Sequence, residues 1–172
     1  KNFSATWLIQ YDALNDSEIL DRVKQFNSNQ EFGVFLEVSE KFAEDARVIY
    51  PFGSAWFFPQ AVFLSGYTQT ERIKLIDEVM ERFKEVFGYY PRSLGSWWID
   101  SYSLDYLKTK YGVTSYLIVT DQKTTDNYGI WGQWWSVPYY PDKANVLTPG
   151  TDRTKMDLVI LQWAQRDPEL SI

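Results

Sequence analysis

Two kinds of hydrophobic run follow one another along the chain: short, nearly unbroken apolar stretches and longer stretches with helical spacing. Residues 6–10 form the first short run and end at Tyr11-Asp12. Asn15 followed by Glu18 comes close to a capping box, and Ile19, Leu20, Val23 and Phe26 then share one helical face. Residues 32–38 are almost continuous in apolar side chains and close at Glu37-Val38-Ser39-Glu40. Such a run suits a parallel strand covered on both faces. Residues 49–67 are rich in Pro, Gly and aromatics without a clear period, and read as a long loop with a short strand at 61–64.

The strongest helical pattern covers residues 69–87. Thr68 and Glu71 form its capping box, Ile73, Ile76, Val79, Met80, Phe83, Val86 and Phe87 its apolar stripe, and Gly88 its left-handed end. A strand then leads through Trp97-Trp98 to Asp100, and Ser101 is placed to cap the next helix, which Gly112 ends. Residues 114–119 and 157–163 complete the strands. Alternating strands and helices predict an α/β fold with a parallel sheet. Five strands are clear and 61–64 would be a sixth, whereas a complete eight-unit barrel takes about 250 residues. The expected architecture is therefore a parallel-stranded, irregular or incomplete (β/α) barrel, or an open sheet. The 172 residues suit one domain. Its first residue, Lys1, is not an initiator Met, and it ends at Ile172 without a capping signal, so it reads as a mature or excised piece.

Composition narrows the chemistry. The chain contains no histidine and no cysteine. That excludes a Ser-His-Asp triad, a thiolate nucleophile, a His- or Cys-ligated zinc and any imidazole acid or base. Carboxylates, tyrosines, lysines and backbone amides remain, and a metal would need an all-oxygen cage. No cofactor is expected. The net charge of −6, without a basic cluster, argues against nucleic acid, and no apolar run is long enough to span a bilayer.

Acidic residues recur just past the predicted strands: Asp12, Glu37, Asp100, Asp121 and, further on, Asp167. Parallel α/β folds gather their active sites at that end. Strand-to-helix turns also favour Asp as a helix cap, so each acid has a structural reading beside the catalytic one. Several of them on one rim would raise one another's pKa and suit acid/base work. Aromatic content is 18%, concentrated at Trp97-Trp98 and at residues 128–140, which include Trp131, Trp134 and Trp135. Exposed indoles match the C–H faces of sugar rings, while a loop that only seals the sheet would use the same residues for packing.

In order, these pieces resemble the polysaccharide deacetylase group of the glycoside hydrolase/deacetylase β/α-barrel superfamily. The carrying stretch is residues 75–121: a helix, Phe87-Gly88-Tyr89-Tyr90-Pro91, a strand to Asp100, a helix, then Lys110-Tyr111-Gly112-Val113 and another strand. Tyr11-Asp12 stands where the family has its first-strand acids, Glu37 near its metal histidines, and Gln162 where its late acidic histidine would be. The resemblance implies a polysaccharide or oligosaccharide partner, in keeping with a secreted or cell-surface setting. The chain departs from the family at both metal histidines and at the acid, since Gln162 cannot transfer a proton. Three functions stay open: a glycoside hydrolase using carboxylates, a silent glycan-binding relative, and a structural domain of a larger enzyme. Asp12, Glu37, Asp100 and Asp121 are the catalytic candidates; Trp98, Trp131, Trp134, Trp135 and Gln162 are the sugar-binding ones.

Overall fold

A computed structural model describes residues 3–51, 58–121, 135 and 137–164. The first unit is β1 (Ala5–Ile9), a 3-10 turn at Asp12–Asn15 and α1 (Ser17–Val23), followed by β2 (Gln30–Phe35). Two short helices come next, α2 (Glu40–Asp45) and α3 (Pro59–Val62), then a 3-10 turn at Leu64–Gly66 and the long α4 (Gln69–Phe87). The chain continues through β3 (Ser93–Ser96), α5 (Ser101–Tyr111) and β4 (Ser115–Asp121) to β5 (Val159–Ala164). Among the described residues the five strands pair in chain order, each with its neighbour in parallel. The α/β class and parallel sheet expected from the pattern are present. The expected sixth strand at 61–64 is not: Pro59 opens α3 at its first turn, where its missing N–H costs nothing, and Ala61 and Val62 are buried as helix.

Caps explain where the helices start. Thr68 and Glu71 make the full capping box of α4, and Gly88 ends it at φ +82°. Asp16 rather than Asn15 caps α1, accepting from the Glu18 and Ile19 amides, and Asp100 rather than Ser101 caps α5. Helix α4 buries Leu75, Ile76, Val79, Met80 and Phe83 against one face of the sheet, where Val34, Leu94, Tyr116, Ile118 and Ile160 meet them in one core. Each such side chain contributes roughly 1.5–3 kcal/mol. Asp77 fastens α4 to α5: its Oδ1 accepts from the Tyr106 hydroxyl (2.8 Å), the Tyr111 hydroxyl (2.6 Å) and Lys110 (2.8 Å).

The other face of the sheet carries the alternate positions. Its first layer is polar: Thr6 and Ser93 both donate to Glu31, at 2.8 and 2.7 Å, and Ser115 donates to Ser93 at 2.9 Å. The next layer is Leu8, Gly33, Gly95 and Leu117. A Cβ on Gly33 would lie 2.0 Å from the Ser93 carbonyl oxygen and 2.9 Å from Leu8, and one on Gly95 would lie 2.7 Å from Leu8 and 2.9 Å from Leu117. Leu8 of β1 thus reaches over β2 to touch β3, a sharp inward curl of the sheet. Gly33→Ala is expected to cost about 2–3 kcal/mol because backbone, not a flexible side chain, would have to move. Gly88→Ala, with open space around it, should cost only about 1 kcal/mol. Urea denaturation of both variants checks the order; equal losses would contradict the tight curl.

Candidate functional site

Two-residue periodicity carries the inner face past the strand ends. Beyond Leu8 comes Gln10, beyond Gly33 and Phe35 comes Glu37, and beyond Gly95 comes Trp97. The curl brings these three together: Gln10 Nε2 donates to Glu37 Oε2 at 2.9 Å, and Trp97 Nε1 donates to the same oxygen at 3.1 Å. Phe35 packs its ring edge-to-face with Trp97 at 5.2 Å and 83°. Glu37 Oε1 has no hydrogen bond among the described residues. Burial pushes the Glu37 carboxyl above its ordinary range; the Trp97 and Gln10 hydrogen bonds oppose this, and the nearby charge of Asp12 adds to it.

Asp12 is exposed at the same end of the sheet, and its Oδ1 accepts from the Ser39 hydroxyl at 2.8 Å. Ser39 in turn caps α2 by accepting from the Phe42 amide, so the helix start holds the hydroxyl that meets Asp12. Tyr11 turns to the opposite face, stacks on Phe42 at 4.4 Å, and places its hydroxyl 2.9 Å from Asp45 and 2.8 Å from Glu78. Tyr50 is half-buried nearby; burial first, then the charges of Glu37 and Glu40, push its hydroxyl pKa up.

Asp100 is committed differently. Its Oδ1 accepts from the Ser103 amide (2.9 Å) and its Oδ2 from the Ser103 hydroxyl (2.7 Å), while Arg72 lies 3.1 Å from Oδ1. Arg72 also donates to the carbonyls of Tyr67 (2.7 Å) and Ser65 (3.2 Å), tying α5 to the turn after α3. That turn forms one wall of a cleft of about 500 Å³ lined by Phe63, Ser65, Gly66, Gln60, Trp98 and Leu147, with Pro59 beside them. Trp135 is anchored next to it: its indole N–H donates to the Leu147 carbonyl at 3.0 Å, and its amide to Gln162 Oε1 at 2.8 Å. Trp98, Trp135 and Gln162 therefore belong to one neighbourhood. Asp121 ends β4, opposite Ala164 in register. Its side chain, together with Trp131, Trp134 and Asp167, lies outside the described residues.

The sequence matches the family described as Domain of Unknown Function with solved structure, DUF3863, over residues 2–168. The chain belongs to the DUF3863 family. No curated protein matches it. The fold is similar to a crystal structure from Parabacteroides distasonis provisionally described as a glycoside hydrolase/deacetylase, with a TM-score of 0.63 and 19% identity. The similarity covers 94% of this DUF3863 chain and 34% of that one, so the chain spans about a third of its length.

The metal that the deacetylase resemblance implies does not fit this DUF3863 chain. Two imidazoles are required and the sequence has no histidine. Among the described residues no three His, Cys, Asp or Glu side chains are placed to hold an ion. No described helix is long and apolar enough to cross a membrane. Gln10, Ser39, Tyr50 and Trp97 are site residues that motif matching missed; alternation along β1 and β3 carries the signal for Gln10 and Trp97.

The folded state holds the Glu37 proton more tightly than the unfolded chain, so rising pH costs stability from its ordinary value of 4.5 up to the raised folded value. Glu37→Gln keeps an acceptor for Gln10 and Trp97 but removes that dependence. Its stability relative to the native chain is expected to improve as pH rises from about 4 through the raised folded pKa of Glu37. Urea denaturation across that interval checks this; a constant difference would contradict a raised Glu37 pKa.

Proposed function

We propose that this chain is a carbohydrate-active domain related to polysaccharide deacetylases and glycoside hydrolases. It acts on a polysaccharide or oligosaccharide with carboxylates rather than with a histidine-bound metal. The observation that carries this reading is the environment of Glu37: a half-buried carboxyl with a raised pKa, one oxygen gripped by Trp97 and Gln10 and the other without a hydrogen bond among the described residues. A carboxyl whose surroundings favour the protonated form is suited to deliver its proton to a leaving glycosidic oxygen, the general-acid role of glycoside hydrolysis. Asp12 supplies the second carboxyl group, open to water, for the base or nucleophile role. Asp121, the last residue of β4, is kept as a further candidate for these roles.

Asp100 is assigned as a positioning residue, because Ser103 and Arg72 engage its oxygens and hold the turn that walls the cleft. Trp98 gives that cleft an indole wall, and Trp135 with Gln162 extends the surface towards β5. Trp131 and Trp134 belong to the same stretch of sequence and are assigned to sugar contacts with it.

The Trp98 cleft also favours a second reading, in which the chain binds glycan without cleaving it. A panel of plain and acetylated oligosaccharides, read by mass spectrometry, separates the two. Chain-shortened products are expected, reduced roughly 100- to 10,000-fold by Glu37→Gln and by Asp12→Asn. Binding that survives both substitutions but is lost in Trp98→Ala, with no product, would establish the binding reading instead. Acetyl loss without shortening would contradict the exclusion of deacetylation.

A further inference from the structure

Towards the opposite end of β1, a second cleft of about 390 Å³ is lined by Phe3, Trp7, Phe26, Gln25, Asn27 and Gln30, with Ala5 beside them. Its chemistry differs from that of the protein's packing surfaces. The faces that helices and sheet bury against each other are built mostly from Leu, Ile, Val, Met and Phe. This cleft has three aromatic rings and three carboxamides, no branched aliphatic side chain and no charged one. The absence of charge stands out in a chain of net charge −6.

Trp7 is held as a platform rather than left loose. Its indole N–H donates to Gln30 Oε1 at 2.8 Å, and its ring packs on Phe26 at 5.1 Å. Gln30 is itself fixed, because its Nε2 donates to the Phe3 carbonyl at 2.8 Å and to Asn29 Oδ1 at 2.9 Å. Even so, 47% of Trp7 remains accessible, as does 73% of Phe3. The Gln25 carboxamide makes no hydrogen bond among the described residues and is exposed at the rim.

We propose that the Trp7 cleft is a second, non-catalytic binding site for an uncharged saccharide chain. A fixed indole offers a flat face to the C–H side of a sugar ring. Carboxamides both donate to and accept from hydroxyls without favouring either sign of charge, and Gln25 is free to do so. Trp7 lies three residues, about 10 Å along the strand, before Gln10, and alternation puts its side chain on the face opposite Leu8 and Gln10, which separates this cleft from the Glu37 site. Binding here needs no chemistry at Glu37, so it stands or falls apart from the catalytic reading.

The test uses the whole chain with uncharged hexasaccharides of glucose, mannose and N-acetylglucosamine, followed by calorimetry, with a hexauronate as the charged control. Trp7→Ala and Gln25→Ala are each expected to weaken binding of at least one uncharged sugar about tenfold, while Trp98→Ala leaves that component in place. Trp7→Phe, which keeps a ring, should stay within about threefold and guards against a folding defect in the alanine variant. Native-like binding by both alanine variants would overturn the proposal, as would equal binding of the hexauronate. So would a concentration-dependent dimer, seen by light scattering, that Trp7→Ala dissociates, because a second copy of the chain would then be the occupant.

Discussion

Leu8 lies across β2 and against β3 only because positions 33 and 95 have no side chains, and much of the molecule's geometry follows from that contact. A parallel sheet of five strands has no intrinsic need to bend so sharply at β2. With no room for a side chain on Gly33 beside the Ser93 carbonyl, the inner face closes on itself, and the next residues on that face are driven towards a common point. Gln10, Glu37 and Trp97 meet there, although 27 and 60 residues of sequence separate the first and last from Glu37. The convergence is therefore a packing consequence of two glycines and one leucine.

The same curl sets the electrostatics. Glu37 is withdrawn from water enough to resist ionisation, yet two hydrogen bonds to one oxygen keep it from being an orphaned buried acid. Asp12 stays exposed a short distance away and adds repulsion that favours the protonated Glu37. Two acids in contrasting environments can take different proton roles at one pH, which a pair in identical surroundings could not. Arg72 organises the neighbouring cleft by linking Asp100 to the carbonyls of Ser65 and Tyr67, so that the wall facing Trp98 is braced by α4 and α5.

Much of this was legible in the residues, for physical reasons. The α4 stripe, its capping box and Gly88 are local signals and survive intact in the fold. Strand ends likewise placed Asp12 and Glu37 near one another, because a parallel sheet aligns its carboxyl ends. Signals that depend on neighbours were weaker. Ala61, Val62, Phe63 and Leu64 make an apolar run too short to have a period, and Pro59 before it starts a helix instead of a strand. The short α2, capped by Ser39, carries little helical pattern in its six residues and was not anticipated. Asp100 has the sequence context of a strand-end acid, but only the fold reveals that Arg72, 28 residues earlier, pairs with it. Trp97 as the partner of Glu37 is visible only once the curl is known.

The account rests on Glu37 being a carboxyl whose proton is held by its surroundings, and site-resolved carbon-13 NMR of the glutamate carboxyls measures that directly. Titration of the folded chain, with Glu37→Gln to assign the resonance, is predicted to place Glu37 clearly above its ordinary value of 4.5. A Glu37 resonance titrating at or below that value would mean that the carboxyl is solvated and ionised, and would contradict its assignment as proton donor.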